Sequence, residues 1–269
     1  MSNRDWDKFL IPYEQAVEEL KIKFKGIRKE YKKREDYSPV EFVTGRVKRI
    51  SSIFSKAKRL NVSMENIETG IEDIAGIRIM CQFVEDIDKV RELVLLRKDM
   101  EVIYEKDYVN NQKDSGYRSH HIIVRYPVQT SIGPKEILAE VQIRTLAMNF
   151  WATIEHSLNY KYEQNIPPHI RERLVKAAEA AHELDKEMSL IREEVKDAQQ
   201  EFETKSQMVS NILRDIQRLY SYGKVTEADR YYQSFKEIWE YGRISQLGHL
   251  GERIRLAIEN AVTDSEGTV

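Results

Sequence analysis

Trp6, Phe9, Leu10, Tyr13, Val17, Leu20, Phe24 and Ile27 recur every three or four residues, so residues 5–34 read as one amphipathic helix. Ser38-Pro39 stops it, because the residue before a proline is pushed out of helical geometry. Val40–Thr44 reads as a short extended stretch, and a second helix is expected over about 46–60. The apolar run from Ile74 to Phe83 predicts a buried strand, Asp86–Lys98 a helix and Glu101–Val109 a strand. His121–Tyr126 and Ile137–Ile143 predict two more strands, joined across Pro127 and the Gly133-Pro134 pair. A helix over Arg144–Lys161 ends ahead of Pro167-Pro168. A long charged helix over 169–205 follows, then three shorter ones over 207–222, 225–242 and 245–262, punctuated by Gly223 and Gly248. The expected fold is α/β (α+β): a mixed β-sheet of four to five strands flanked by helices, over residues 1–206, with a helical C-terminal extension over 207–269.

Composition narrows the class. Hydrophobic residues make up 41% of the 269 and charged residues 33%, which suits a folded, helix-rich protein rather than a disordered one. No apolar run approaches the roughly 18 residues of a membrane span. The opening MSNRDWDKFL has no apolar core of a secretory signal, so a cytoplasmic protein is expected. The single Cys81 excludes an intrachain disulfide. The net charge of −2 conceals an asymmetry: eight basic residues against one acid from Lys21 to Arg34, six against none from Arg46 to Arg59, and eight acids against four bases from Glu183 to Lys205. The first quarter is therefore equipped to hold anions, although such runs also serve as solvated faces.

The chemistry concentrates in four places. On a helix beginning at Arg46, the residues Lys48, Ser52, Lys56 and Arg59 share one face while Val47, Ile50, Phe54 and Ala57 pack inward. Such a row is a clamp for a polyphosphate or an ordinary surface helix; the lack of any acid between Glu41 and Glu65 weighs against the latter. Two carboxylates stand in strand contexts: Asp73 before IAGIRIM, and Glu140 alternating with Leu138, Gln142 and Arg144 on one strand face. Together they fit the one or two carboxylates that Mg²⁺ takes beside substrate phosphates; singly, each also reads as a strand-end cap or a surface ion pair. In the loop from Lys113 to His121, Gly116 permits a tight turn, Tyr117 can stack on a purine, and Lys113 and Arg118 can reach phosphates. On the helix after Glu140, Ala147, Phe150, Trp151, Ile154 and Leu158 read as core, opposite Asn149, Thr153 and His156; the histidine alone reads as structural.

Taken in order, GRVK (45–48), EDIAGIRI (72–79), DSGYRSHH (114–121), EVQIRT (140–145) and WATIEHSLNYK (151–161) resemble the RelA/SpoT-type (p)ppGpp synthetase domain. The resemblance is to its small alarmone synthetases of the RelQ type and covers roughly residues 5–205. It implies transfer of pyrophosphate from ATP to the 3′-OH of GDP or GTP, with Mg²⁺ as cofactor. Arg46 and Arg78 would sandwich adenine. Lys48, Ser52, Lys56 and Arg59 would hold the ATP phosphates. Asp73 would bind Mg²⁺, and Glu140 would share the metal and activate the acceptor hydroxyl. Tyr117 would stack on guanine, with Lys106, Lys113, His121 and Gln142 as further acceptor contacts. Lys21, Lys25, Arg28, Glu41, Phe42 and Asn149 would line a site for activating (p)ppGpp between subunits of a homotetramer. The chain departs at His120, where relatives often carry Tyr or Leu, and beyond residue 206, where no counterpart is recognised. It contains no His-Asp dipeptide, so a synthetase without hydrolase activity is expected. The competing reading is a non-catalytic nucleotide- or single-stranded-RNA-binding regulator, whose acids beside the phosphates would then have no use.

Overall fold

The computed structural model describes residues 5–131, 133–161, 166–241 and 244–266. Two compact units divide the chain, Met1–Leu190 and Ile191–Val269.

In the first unit, α1 (Trp6–Lys33) starts at Asp5, whose side chain accepts from the Lys8 amide at 3.3 Å. It buries Phe9, Tyr13, Ala16, Val17, Leu20 and Phe24. β1 (Phe42–Val47) is longer than the sequence pattern predicts, and α2 (Ile50–Leu60) starts later. The reason lies in Val43, Gly45 and Val47, which alternate toward α1 as a pleat requires. At Gly45 a β-carbon would sit 2.8 Å from Val17 Cγ1, so the strand lies close against the helix there. Arg46 thus points to the other sheet face, Lys48 sits ahead of α2, and only Ser52, Lys56 and Arg59 share the helix face. Ile53 and Ala57 anchor α2, while Phe54 stays 42% exposed against Trp6.

After a single 3₁₀ turn (Met64–Asn66) and α3 (Ile67–Gly70) come β2 (Ala75–Cys81), α4 (Glu85–Leu95), β3 (Glu101–Asp107), β4 (His120–Thr130) and β5 (Gly133–Thr145). The last two form one long hairpin that runs through Pro127, paired with Glu136. β3 pairs with β4 only as far as Arg125, so beyond it β4 has a partner on one side and tolerates a proline. The five-stranded sheet has the order β1-β2-β5-β4-β3; β2 and β5 are parallel and the other neighbours antiparallel. α1 covers one face, over Ile77, Ile79, Ile122, Val124, Ala139, Val141 and Ile143.

α5 (Leu146–Lys161) follows β5 directly. Its buried side is Met148, Trp151 and Ala152, whereas Phe150 is 69% and Ile154 41% exposed. The tie that sets this rotation is Trp151, which packs with Leu174, Ala178 and Ala181 and donates from Nε1 to the Leu174 carbonyl at 2.8 Å. α6 (Pro168–Ser221) runs for 54 residues, through the break expected near 206, because no glycine or proline interrupts 169–222. In the second unit, Ile212, Ile216 and Leu219 build a separate core with Ala228, Tyr231 and Phe235 of α7 (Val225–Tyr241) and Leu247, Leu250, Ile254 and Ile258 of α8 (Ile244–Glu266).

Candidate active site

The face of the sheet turned away from α1 is polar, and strand register sets its pattern. One row crosses all five strands as Thr44, Arg78, Gln142, His121 and Lys106; the next as Arg46, Gly76, Glu140, Ile123 and Tyr104. Together with α2, α5 and the loop before β4, these rows border a cleft of about 560 Å³.

Asp73 lies just before β2. Its Oδ2 meets Lys48 Nζ at 2.7 Å and its Oδ1 meets Lys56 Nζ at 2.8 Å. Burial pushes its carboxyl up, but the two ammonium groups outweigh that and hold it below its ordinary value. Glu140 is held on both oxygens: Oε1 lies 2.8 Å from His121 Nδ1, and Oε2 accepts from Gln142 Nε2 at 2.6 Å. Here too burial raises the carboxyl, but the contacts from His121 and Gln142 together outweigh it and hold Glu140 below its ordinary value, so it stays ionised. Burial keeps His121 neutral despite the carboxylate beside it. Arg78 donates to Gln142 Oε1 at 3.3 Å, and its pKa is lowered to about 10 by burial and by repulsion from Arg144 and Arg46. Burial likewise depresses the Lys113 ammonium and the His156 imidazole, the latter with Arg46, Arg78, Lys48 and Arg144 adding to the effect. The cleft therefore holds Asp73 and Glu140 ionised, with Glu72 and Glu155 also on its lining, inside a surplus of cations.

The loop before β4 is fixed by Gly116, at φ 85°, whose missing β-carbon would otherwise lie 2.5 Å from Ala178 Cβ. That docking places Tyr117 beside His121, with Lys113 Nζ 4.9 Å from its ring centroid and 4.5 Å from that of Tyr108.

The structure gathers Arg46, Lys56, Arg59, Asp73, Arg78, Lys106, Lys113, Tyr117, His121, Glu140 and Gln142 around the cleft. Lys48 joins through Asp73, while Ser52, half-buried on α2, does not border it. Arg144, Tyr108, Thr153, Glu155 and His156 also line it, beyond the residues the motifs predict; strand parity with Glu140 and Gln142 places Arg144 on the same face. His120 turns to the other sheet face and meets Glu105 at 2.9 Å. The six residues expected to bind a regulatory nucleotide lie outside the cleft. Arg28 pairs with Glu41 at 3.0 Å, Lys21 with Glu18 at 2.7 Å, and Lys25 is exposed. Phe42 is 40% exposed on the opposite sheet face from Gly45 and α1, and Asn149 lies on α5, so one chain does not assemble the six into a single pocket.

Two carboxylates are a fitting donor set for Mg²⁺, which accepts hard oxygen ligands and retains water and phosphate for the rest. Among the described residues no three His, Cys, Asp or Glu side chains converge as a complete metal cage. No helix of the described residues is long and apolar enough to cross a membrane.

Fold and cleft together define a mixed-sheet protein with a cation-walled cleft around paired carboxylates. Residues 45–165 match the family model described as the region found in RelA/SpoT proteins. GTP pyrophosphokinase YjbM of Bacillus subtilis is 58% identical over 205 residues, covering 76% of this chain and 97% of that protein. GTP pyrophosphokinase YwaC of the same organism is 38% identical over 193 residues, 71% of this chain and 92% of that one. Among solved structures, small alarmone synthetase 1 of Bacillus subtilis bound to its product pppGpp superposes with a TM-score of 0.70 at 58% identity, over 72% of this chain and 99% of that one. The same synthetase bound to AMPCPP gives 0.64 at 55% identity, over 72% and 100%. The chain belongs to the RelA/SpoT family, as a small alarmone synthetase of the RelQ type.

Proposed function

We propose that this chain is a GTP pyrophosphokinase: it moves the β,γ-pyrophosphate of ATP to the 3′-OH of GDP or GTP, giving (p)ppGpp and AMP. The observation that carries the reading is the pair of ionised carboxylates, Asp73 and Glu140, inside one cation-walled cleft. Arg46 and Arg78 border its ATP side and stack on adenine. Lys48, Lys56 and Arg59 receive the triphosphate, with Ser52 on the same face of α2 reached only by a phosphate that extends past the cleft, and the two lysines exchange Asp73 for phosphate oxygens. Asp73 and Glu140 are the residues that would hold Mg²⁺, which when bound supplies positive charge to the phosphates. Tyr117 stacks on guanine, and Lys106, Lys113, His121 and Gln142 contact the acceptor nucleotide. The acceptor oxygen bonds to the β-phosphorus, the bond from that phosphorus to the bridging oxygen of AMP breaks, and Glu140 takes the hydroxyl proton.

Residues 1–206 form the synthetase portion, in keeping with the 205 residues aligned to YjbM, and 207–269 a helical extension. On α6, Leu184, Met188, Ile191 and Val195 are 52%, 41%, 43% and 51% exposed at three- and four-residue spacing. An apolar stripe of that kind needs a partner, and it supports assembly as a homotetramer. In that assembly Lys21, Lys25, Arg28, Glu41, Phe42 and Asn149 of neighbouring chains hold (p)ppGpp as an activator. A protein of this kind works in the cytoplasm, in the stringent response. The test of the activity is incubation with Mg²⁺, γ-labelled ATP and GDP: label moves into ppGpp, and a protein that binds both nucleotides without moving label is a regulator instead.

A further inference from the structure

Arg144 is 3% exposed, and among the described residues no carboxylate lies within ion-pair distance of it. Its guanidinium donates to neutral acceptors: Nη2 to Gln142 Oε1 at 2.6 Å and to the Tyr117 hydroxyl at 2.5 Å, and Nε to Ser119 Oγ at 3.2 Å. A buried arginine spent on neutral oxygens is costly unless those oxygens must be held. The Tyr117 hydroxyl in turn lies 2.7 Å from His121 Nε2, and His121 Nδ1 lies 2.8 Å from Glu140 Oε1. One direction leaves no donor in the chain without an acceptor. A carboxylate oxygen accepts, so the His121 Nδ1–H is given to Glu140 Oε1. Nε2 then accepts from the Tyr117 hydroxyl, whose oxygen accepts from Arg144.

We propose that the Tyr117 hydroxyl, backed by Arg144, is a positioning group for the catalytic carboxylate: it fixes the tautomer and tilt of His121, and His121 aims Glu140. The residue that meets the acceptor base is thereby wired to the base that takes the acceptor's proton, through three hydrogen bonds running from Arg144 to Glu140. Tyr117 then has two separable parts, a ring for the nucleotide and a hydroxyl for the chain. This rests on the pyrophosphokinase reading of the cleft.

Tyr117→Phe separates the parts, because it keeps the ring and removes the hydroxyl. The expected result is a KM for GDP within about twofold of the parent and a kcat lowered about tenfold, the scale on which removal of an orienting partner acts. ¹⁵N NMR of the substrate-free protein supplies an independent reading: the His121 Nε2 signal moves to that of a pyridine-type nitrogen with no donor. Arg144→Lys, which keeps the charge and loses the fork, moves the same signal. An unmoved His121 signal in Tyr117→Phe, an unchanged kcat, or a loss confined to the KM for GDP overturns the proposal. The parent's own rate, measured alongside, tests the pyrophosphokinase reading separately from the NMR result.

Discussion

Gly116 offers a sharp test of how the acceptor loop is held. Two costs meet in Gly116→Ala. At φ 85° an alanine is in left-handed geometry, at about 1–2 kcal/mol. Its β-carbon would also lie 2.5 Å from Ala178 Cβ, a contact that forces the loop off α6 and adds about 1–3 kcal/mol of overpacking. The next neighbours, Val175 Cα and O, stand at 3.7 Å, which is ordinary contact, so the whole clash belongs to one methyl. Ala178→Gly alone costs about 1 kcal/mol of helix propensity. In the double variant the clash vanishes while the strain at φ remains, so the two changes couple favourably by about 1–3 kcal/mol. Urea unfolding of the four proteins measures the coupling, and the KM for GDP follows it: raised in Gly116→Ala, because Tyr117 is the adjacent residue, and largely restored in the double variant. Additivity within about 0.5 kcal/mol, with KM unmoved, would refute the claim that Ala178 seats this loop.

Asp73→Asn removes an anionic ligand with almost no change in volume and is expected to abolish synthesis while leaving a folded protein; near-normal turnover at ordinary Mg²⁺ contradicts the site. Because Lys48 and Lys56 hold the parent carboxyl below its ordinary value, the ionised form persists as pH falls, and the parent's rate is not limited by Asp73 above about pH 4. Asp185 behaves oppositely. It is 4% exposed, accepts from Thr145 Oγ1 at 2.7 Å, and is raised to about 6 by burial. The folded state therefore binds the extra proton between the unfolded value of 3.8 and about 6, so stability falls as pH rises through that window, by about 1–3 kcal/mol. Asp185→Asn is expected to flatten that slope in denaturant titrations at pH 4.5 and 7.5; an unchanged slope removes Asp185 as its source. The protein is also expected to release no pyrophosphate from pure ppGpp, with or without Mn²⁺, and detectable release contradicts this.

The parts of the site that lie on strands were legible from the chain alone. Period-two alternation put Glu140, Gln142 and Arg144 on one face, and the structure lays Arg78 and His121 beside Gln142 in the same row. What periodicity could not settle was the passage from β1 to α2. Val47, Ile50 and Ala57 fit a helical stripe, yet Gly45 and the β-branched residues around it pair with β2, and the turn falls between Val47 and Ile50. α5 was misoriented because Met148, Phe150, Trp151 and Ile154 are apolar around most of the helix; the hydrogen bond from Trp151 to Leu174, residues far apart in sequence, decides its rotation. His156 read as structural because a lone helical histidine has no local signature. Its place in the cleft depends on Arg46 and Arg78 arriving from other elements.

The most direct measurement of the central claim is product identification by ³¹P NMR and chromatography after incubation with ATP, GDP and Mg²⁺. The account predicts AMP and ppGpp in equal amounts, with the new pyrophosphate on the 3′ oxygen, and their loss in Glu140→Gln. Formation of ADP, a phosphate transferred singly, or full yield from Glu140→Gln would contradict it.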